Sequence, residues 1–208
     1  MRQNYLIKMG SMVIFIAGIL MCIAIPANAL KFSDNEKNRL KAGETVIREL
    51  PSSGQKGFYG GSGYSVIDAP VEKVWEVLTT WKNYREIFPY TKECSPISTK
   101  GNRTLLKMVT GHPIVSVQYY LNIESDKSQN TIKFELVPNY PHDLDMLQGF
   151  WRLFPQPGGR TLAAYVVSTQ APAGLVLLVG PELAHEAIQM LLSIPGDVRK
   201  WMDAQRKR

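Results

Sequence analysis

An α+β fold is predicted by three observations along the chain. A proline-started amphipathic segment spans residues 70–78, a stretch of alternating residues runs from about 90 to 169, and a long apolar-striped segment lies near the C-terminus. In the first, Val71, Val74, Trp75 and Leu78 recur three and four residues apart, which lines one face of a helix. Pro70 stands where the first helical residue belongs, since its missing N–H costs nothing there. A second short helix is expected around Asn83 to Phe88, ending at Pro89.

The period then changes. Val117, Tyr119, Leu121 and Ile123 share one face while Ser116, Gln118, Asn122 and Glu124 take the other. Ile132, Phe134 and Leu136 likewise alternate with Lys133 and Glu135, the mark of antiparallel strands with one wet face. Gly101-Asn102, Asp126 to Asn130 and Pro157-Gly158-Gly159 supply the turns between strands. In the C-terminal helix, Leu183, Ala187, Met190, Leu191 and Ile194 form the predicted stripe, with Val198, Trp201 and Met202 continuing it. Pro195-Gly196 is expected to bend or break that helix, because proline removes a hydrogen bond and crowds the preceding turn.

Ahead of this core, Ser33-Asp34-Asn35-Glu36 reads as a capping box opening a short helix, with Gly43 as its stop and a strand at Thr45 to Arg48. Gly60-Gly61-Ser62-Gly63 leads into a strand rather than a helix and lacks the Gly-Lys-Ser/Thr of a phosphate loop. The first 29 residues have a different character. Arg2 and Lys8 precede an apolar run from Met12 to Ile25, and Pro26-Ala27-Asn28-Ala29 ends in the small-residue pattern of a secretory cleavage site. The run is shorter than the roughly 20 residues a spanning helix needs, so export with cleavage after Ala29 is expected, an uncleaved membrane anchor being the alternative. The chain thus divides into residues 1–29 as signal peptide, 30–59 as a helix and strand extension, and 60–208 as the main domain.

Composition narrows the function. The chain carries 24 Lys and Arg against 18 Asp and Glu, a net +6. Loss of the basic leader brings this to about +4, with no basic stripe, which argues against nucleic acid. Only Cys94 follows the leader, so no internal disulfide forms, and a lone thiol reads as a small buried hydrophobe. His112, His142 and His185 are scattered without ligand spacing, and no metal or cofactor is expected. His142, Asp143 and Asp145 make the one compact polar cluster and read as an exposed turn.

Ala69-Pro70-x-x-Lys73-Val74-Trp75-x-Val77-Leu78, followed by Trp81-Lys82-Asn83-Tyr84-Arg85-Glu86-Ile87-Phe88-Pro89, resembles the opening of the START-like, Bet v 1-like superfamily. The similarity is to its polyketide cyclase/dehydrase and coenzyme-Q-binding START-domain group. Gly149-Phe150-Trp151 with Gly158-Gly159-Arg160-Thr161 resembles that group's Gly-x-Trp hairpin. The resemblance, over about residues 60–205, implies a helix-grip fold: a curved antiparallel sheet wrapped around a long C-terminal helix, with two short helices after the first core strand. It also implies a ligand-sized cavity between sheet and helix.

Residue pattern points the same way, since a straight helix cannot touch all of a strongly curved sheet, and wide side chains or a ligand must fill the gap. The expected lining is Phe88, Met108, Tyr119, Phe134, Trp151 and Tyr165, facing Ala187, Met190, Leu191 and Ile194 on the helix. Apolar walls with a few phenol or indole groups suit a hydrophobic molecule with a small polar head. The uncharged run Pro172 to Pro181 is read as a buried strand end or as a mouth loop that meets a membrane surface. The leading expectation is a non-enzymatic, extracytoplasmic carrier of a lipid, quinone or isoprenoid-like molecule. A cyclase or aromatase-like enzyme using the same cavity and a protein-interaction module are the alternatives.

Overall fold

The computed structural model describes residues 30–50, 57–88, 90–111 and 115–207. The proposed leader and His112 lie outside them, and the chain's contacts divide it into two units at Phe32/Ser33. In the second unit the order is α1 (Asp34–Lys41), β1 (Val46–Glu49), β2 (Phe58–Ile67), α2 (Val71–Thr79) and a 3-10 turn (Trp81–Asn83). There follow α3 (Tyr84–Ile87), β3 (Thr91–Lys100), β4 (Arg103–Gly111), β5 (Ser116–Asp126), β6 (Thr131–Leu136), β7 (Met146–Gln156), β8 (Arg160–Gln170) and α4 (Ala173–Arg206). The strands form one antiparallel sheet in the order β1-β2-β8-β7-β6-β5-β4-β3, curved around α4 in a helix-grip fold. The Gly60-Gly61-Ser62-Gly63 run is strand throughout, inside β2.

Pro70 is the N-cap of α2 rather than its first helical residue. Its carbonyl accepts the Lys73 and Val74 amides at 3.0 and 3.2 Å, so its missing N–H falls outside the ladder altogether. Val71, Val74 and Leu78 are buried as their spacing predicts, and Trp75 is half-buried. The expected second helix is a 3-10 turn running into α3, and Trp81 and Phe88 pack edge-on against Tyr84 from either side.

The capping box at Ser33 forms in full. The Ser33 hydroxyl accepts the Glu36 amide, and the Glu36 carboxylate accepts the Ser33 amide at 2.7 Å. Glu36 also takes two hydrogen bonds from Arg48 on β1, at 2.8 and 3.0 Å. This fixes α1 to the outer face of the sheet, where Arg48 lies over the Tyr64 ring and Leu40, Val46 and Tyr64 are buried.

On the inner face, α4 rests almost backbone to backbone on β2. A Cβ at Gly61 would stand 2.7 Å from the Leu192 side chain, and one at Gly63 would collide with the Leu192 carbonyl. That contact sets the rotation of α4, whose buried positions are Ala184, Ile188, Leu192, Pro195 and Val198. The predicted stripe is therefore displaced by about one residue. Ala187 and Leu183 are exposed, while Met190, Leu191 and Ile194 are only half-buried.

Pro195-Gly196 does not break the helix, whose dihedrals stay helical through that pair. Gly196 instead leaves room for the Thr45 side chain, and the Pro195 ring lies against Gly63. The break falls at Gly180, with φ 74° and ψ 168°, a conformation open essentially to glycine alone. The run from Pro172 is consequently a short helix, neither strand end nor loop, and Leu177 and Leu178 on it are each 73% exposed. From Pro181 to Arg206, 1.5 Å per residue gives about 39 Å, close to the roughly 36 Å of an eleven-residue strand. The leading part of α4 is surplus to the height of the sheet.

Two outcomes test this arrangement. Gly63→Ala is expected to lower stability by about 3 kcal/mol, read from the denaturation midpoint, because a whole helix must shift to admit one methyl group. The Arg48 guanidinium holds the Glu36 carboxyl down at about 2, so its stabilisation is complete above its unfolded value, near 4.3, and fades as pH falls toward 2. Glu36→Ala should thus cost roughly 1–2 kcal/mol at pH 7, and in pH-dependent melting the two proteins should converge below pH 4.

Candidate functional site

Strand register brings the predicted aromatic residues together. Ile132, Trp151 and Tyr165 are cross-strand partners in one row, and Phe134 faces Gly149 in the next. Glycine at 149 matters, since a Cβ there would lie 2.9 Å from the Phe134 ring edge and within the ring's own space. The ring stacks on Tyr165 at 5.7 Å, and Tyr165 meets Trp151 at 4.7 Å. Two strands further on, Met108 partners Tyr119 on one side and Cys94 on the other. Met108, Tyr119, Phe134, Trp151 and Tyr165 are all buried in one apolar cluster, and half-buried Phe88, Leu191 and Ile194 pack against it.

Met190 is half-buried outside that cluster, and Ala187 points away from it. The helix side is supplied instead by Ile188 and Leu192, which the sequence reading missed. Their three-and-four spacing with Ala184, Pro195 and Val198 is present in the chain but competes with the bulkier stripe beside it. Tyr84 was also missed as an inward group. Its hydroxyl donates to the Leu78 carbonyl at 2.7 Å, locking α3 against α2.

Beneath α4 the aromatic rings lie against one another. Two hollows outlined by described residues lie elsewhere. One, of about 410 Å³, is bounded by Leu105, Asn122, Glu135 and the start of the loop after β6. The other, of about 600 Å³, opens at the end of the sheet where β5 begins, between Val115–Val117, His142 and Asp143, and Pro172, Gly174, Leu175 and Leu178. Val117 shares the inner face of β5 with Tyr119, so the floor of this groove continues into the aromatic cluster.

The interior is electrically quiet. No Lys, Arg, His, Asp or Glu is buried among the described residues, the buried polar side chains being Ser65 and four threonines. Burial raises the Tyr119 phenol to about 12 and the Cys94 thiol to about 12, and lifts Tyr84 and Tyr165 well above the usual phenol range. These groups stay neutral at any physiological pH. At the rim, His142 and Asp143 are exposed, with the Asp143 carboxylate accepting the Gln118 amide at 2.7 Å, and His185 is exposed 3.9 Å from Glu49. Among the described residues no group of three or more His, Cys, Asp or Glu side chains is placed to hold a metal.

Known proteins share this architecture. The TTHA0849 protein of Thermus thermophilus superposes with a TM-score of 0.61 at 16% identity, over 69% of this chain and 97% of its own. The Zhui aromatase/cyclase of a Streptomyces species gives 0.56 at 18% identity, over 78% and 97%. A STAR-related lipid transfer protein of Xanthomonas axonopodis gives 0.50 at 14% identity, over 76% and 98%. At such identities the likeness is one of fold. No curated protein matches the chain. The model of the family described as polyketide cyclase / dehydrase and lipid transport matches residues 67–191, from the end of β2 well into α4. With its grip of strands around α4 and its neutral, aromatic inner face, the chain belongs to the polyketide cyclase / dehydrase and lipid transport family.

Proposed function

We propose that this protein binds a hydrophobic small molecule, of lipid, quinone or isoprenoid type, against the inner face of the sheet and carries it outside the cytoplasm without transforming it. The observation that carries this reading is the aromatic inner face, in which, among the described residues, no ionisable side chain is buried except phenols and a thiol held neutral. Such a surface offers hydrophobic transfer, worth roughly 25 cal/mol for each Å² of apolar area taken from water. Among the described residues it buries no carboxylate, imidazole or amine to act as a general acid or base.

The rim supports the carrier role. Leu50, Tyr90, Tyr140, Leu177 and Leu178 are exposed, and all stand at the end of the sheet where the groove opens. Leucines with tyrosines at such a mouth suit a bilayer surface, from which an apolar ligand passes without crossing water. The leading part of α4, hinged at Gly180, covers the groove and would swing to admit it. Among the described residues no helix is long and apolar enough to cross a membrane.

One observation favours a second reading. His142 and Asp143 line the groove, so a polyketone held there would meet an imidazole at the rim. On that reading His142→Ala abolishes turnover, whereas a carrier keeps its full ligand load.

Three measurements check the proposal. Native mass spectrometry with lipid extraction, on protein from its own host, is expected to find a neutral apolar molecule bound; empty protein even after lipid feeding rejects the carrier. Leu177→Asp with Leu178→Asp should change stability by no more than about 0.5 kcal/mol, both being largely exposed, yet slow transfer between vesicles at least severalfold. Sequencing the mature N-terminus after cell fractionation should place its start at Leu30 outside the cytoplasm.

A further inference from the structure

The groove at the end of the sheet has two unlike walls. Val115, Val117, Pro172, Leu175 and Leu178 make one of them apolar, and Val117 leads inward to the aromatic cluster. Ser116, His142 and Asp143 line the groove as well. Alternation at the start of β5 sets this division, because Val117 takes the inner face and Ser116 the outer. The Ser116 hydroxyl accepts a hydrogen bond at 2.6 Å from the Lys92 ammonium, which reaches over from β3. Gly111, the Ser116 partner on the strand between, puts no side chain in the way. A hydroxyl that accepts from a cation still has its own proton to give, and gives it more strongly. Further along β5 the Asp143 carboxylate accepts the Gln118 amide at 2.7 Å, and the Asp143 amide donates to the Gln118 carbonyl at 2.9 Å. Asp143 is thus pinned to the strand twice, and its carboxylate keeps lone pairs for a further donor. The rim therefore sets a donor at Ser116 and an acceptor near Gln118, about 7 Å apart along the strand.

We propose that this rim receives the polar end of the ligand, that the head it takes is uncharged and bears a hydroxyl, and that the apolar chain points inward past Val117. The assignment rests on the binding reading above and adds to it the chemistry of the head and the direction of the ligand. A hydroxyl accepts from Ser116 and donates to Asp143, so a head with one or two of them satisfies both sides of the rim. An ether oxygen only accepts, and leaves the carboxylate unused. A carboxylate head gains from Lys92 what it loses to Asp143, and an ammonium the reverse. Neither ion is repaid for leaving water, and the rim sorts ligands of equal apolar length by their polar end.

The test is calorimetric titration of the purified protein at pH 8 with 1-decanol, 1-methoxydecane, decanoate and decylamine, which share one chain length. 1-Decanol is expected to bind about fivefold tighter than each of the others, the worth of one hydrogen bond. Ser116→Ala should weaken 1-decanol and 1-methoxydecane alike, by about threefold, since both lose the same donor. Asp143→Asn keeps an oxygen for the Gln118 amide, and should raise decanoate affinity severalfold while leaving 1-methoxydecane unchanged. Should either variant not fold, the four probes on the unaltered protein still decide. Ether or ion binding as tightly as 1-decanol, or 1-decanol affinity indifferent to Ser116→Ala, overturns the head assignment while the binding reading stands. Failure of all four probes to bind overturns both.

Discussion

The close seating of α4 on Gly61 and Gly63 governs the rest of the molecule. Because two residues of β2 lack side chains, the Leu192 main chain descends onto the sheet itself, and the rotation of the helix is fixed there. Held at that edge of the bowl, a straight helix leaves the inner face of the middle strands to be covered by something else. Phe134, Trp151 and Tyr165 supply that cover, stacked across β6, β7 and β8, and Gly149 yields the room for the Phe134 ring. Three glycines and three rings therefore divide the concave surface into a helix seat and an aromatic floor.

Charge is kept to the outside and the ends. Glu36 and Arg48 tie α1 to β1 on the outer face, Lys107 meets Glu93 across β3 and β4, and Arg206 closes the far end of α4 on Asp68. Pairs of this kind, partly solvated, contribute little each, but their placement costs the interior nothing. The extension before β2 has a mechanical part as well. Its turn at Gly43 to Thr45 abuts Gly196 and Arg199, so the terminal stretch of α4 is held from the strand edge as well as from below.

Much of this was legible in the chain. Alternation placed Tyr119, Phe134, Trp151 and Tyr165 on one face, since a strand's period of two admits no other arrangement once one face is buried. The capping box and the α2 stripe were equally plain, being local chemistry of a few residues. What stayed hidden was non-local. The face of α4 depends on glycines more than a hundred residues upstream, and α4 carries two interleaved apolar stripes between which its own sequence does not choose. Pro195-Gly196 reads locally as a breaker, yet the tertiary contact with Gly63 and Thr45 makes a small, smooth helix surface worth one lost hydrogen bond.

The interruption at Gly180 separates α4 into a piece that the sheet supports along its length and a piece that overhangs it. Unfastening the overhang would disturb neither the helix seat nor the aromatic floor, so its free energy of opening is uncoupled from that of the scaffold. The overhang can then open at the pace of a local fluctuation, microseconds to milliseconds, in a body whose global unfolding is far rarer.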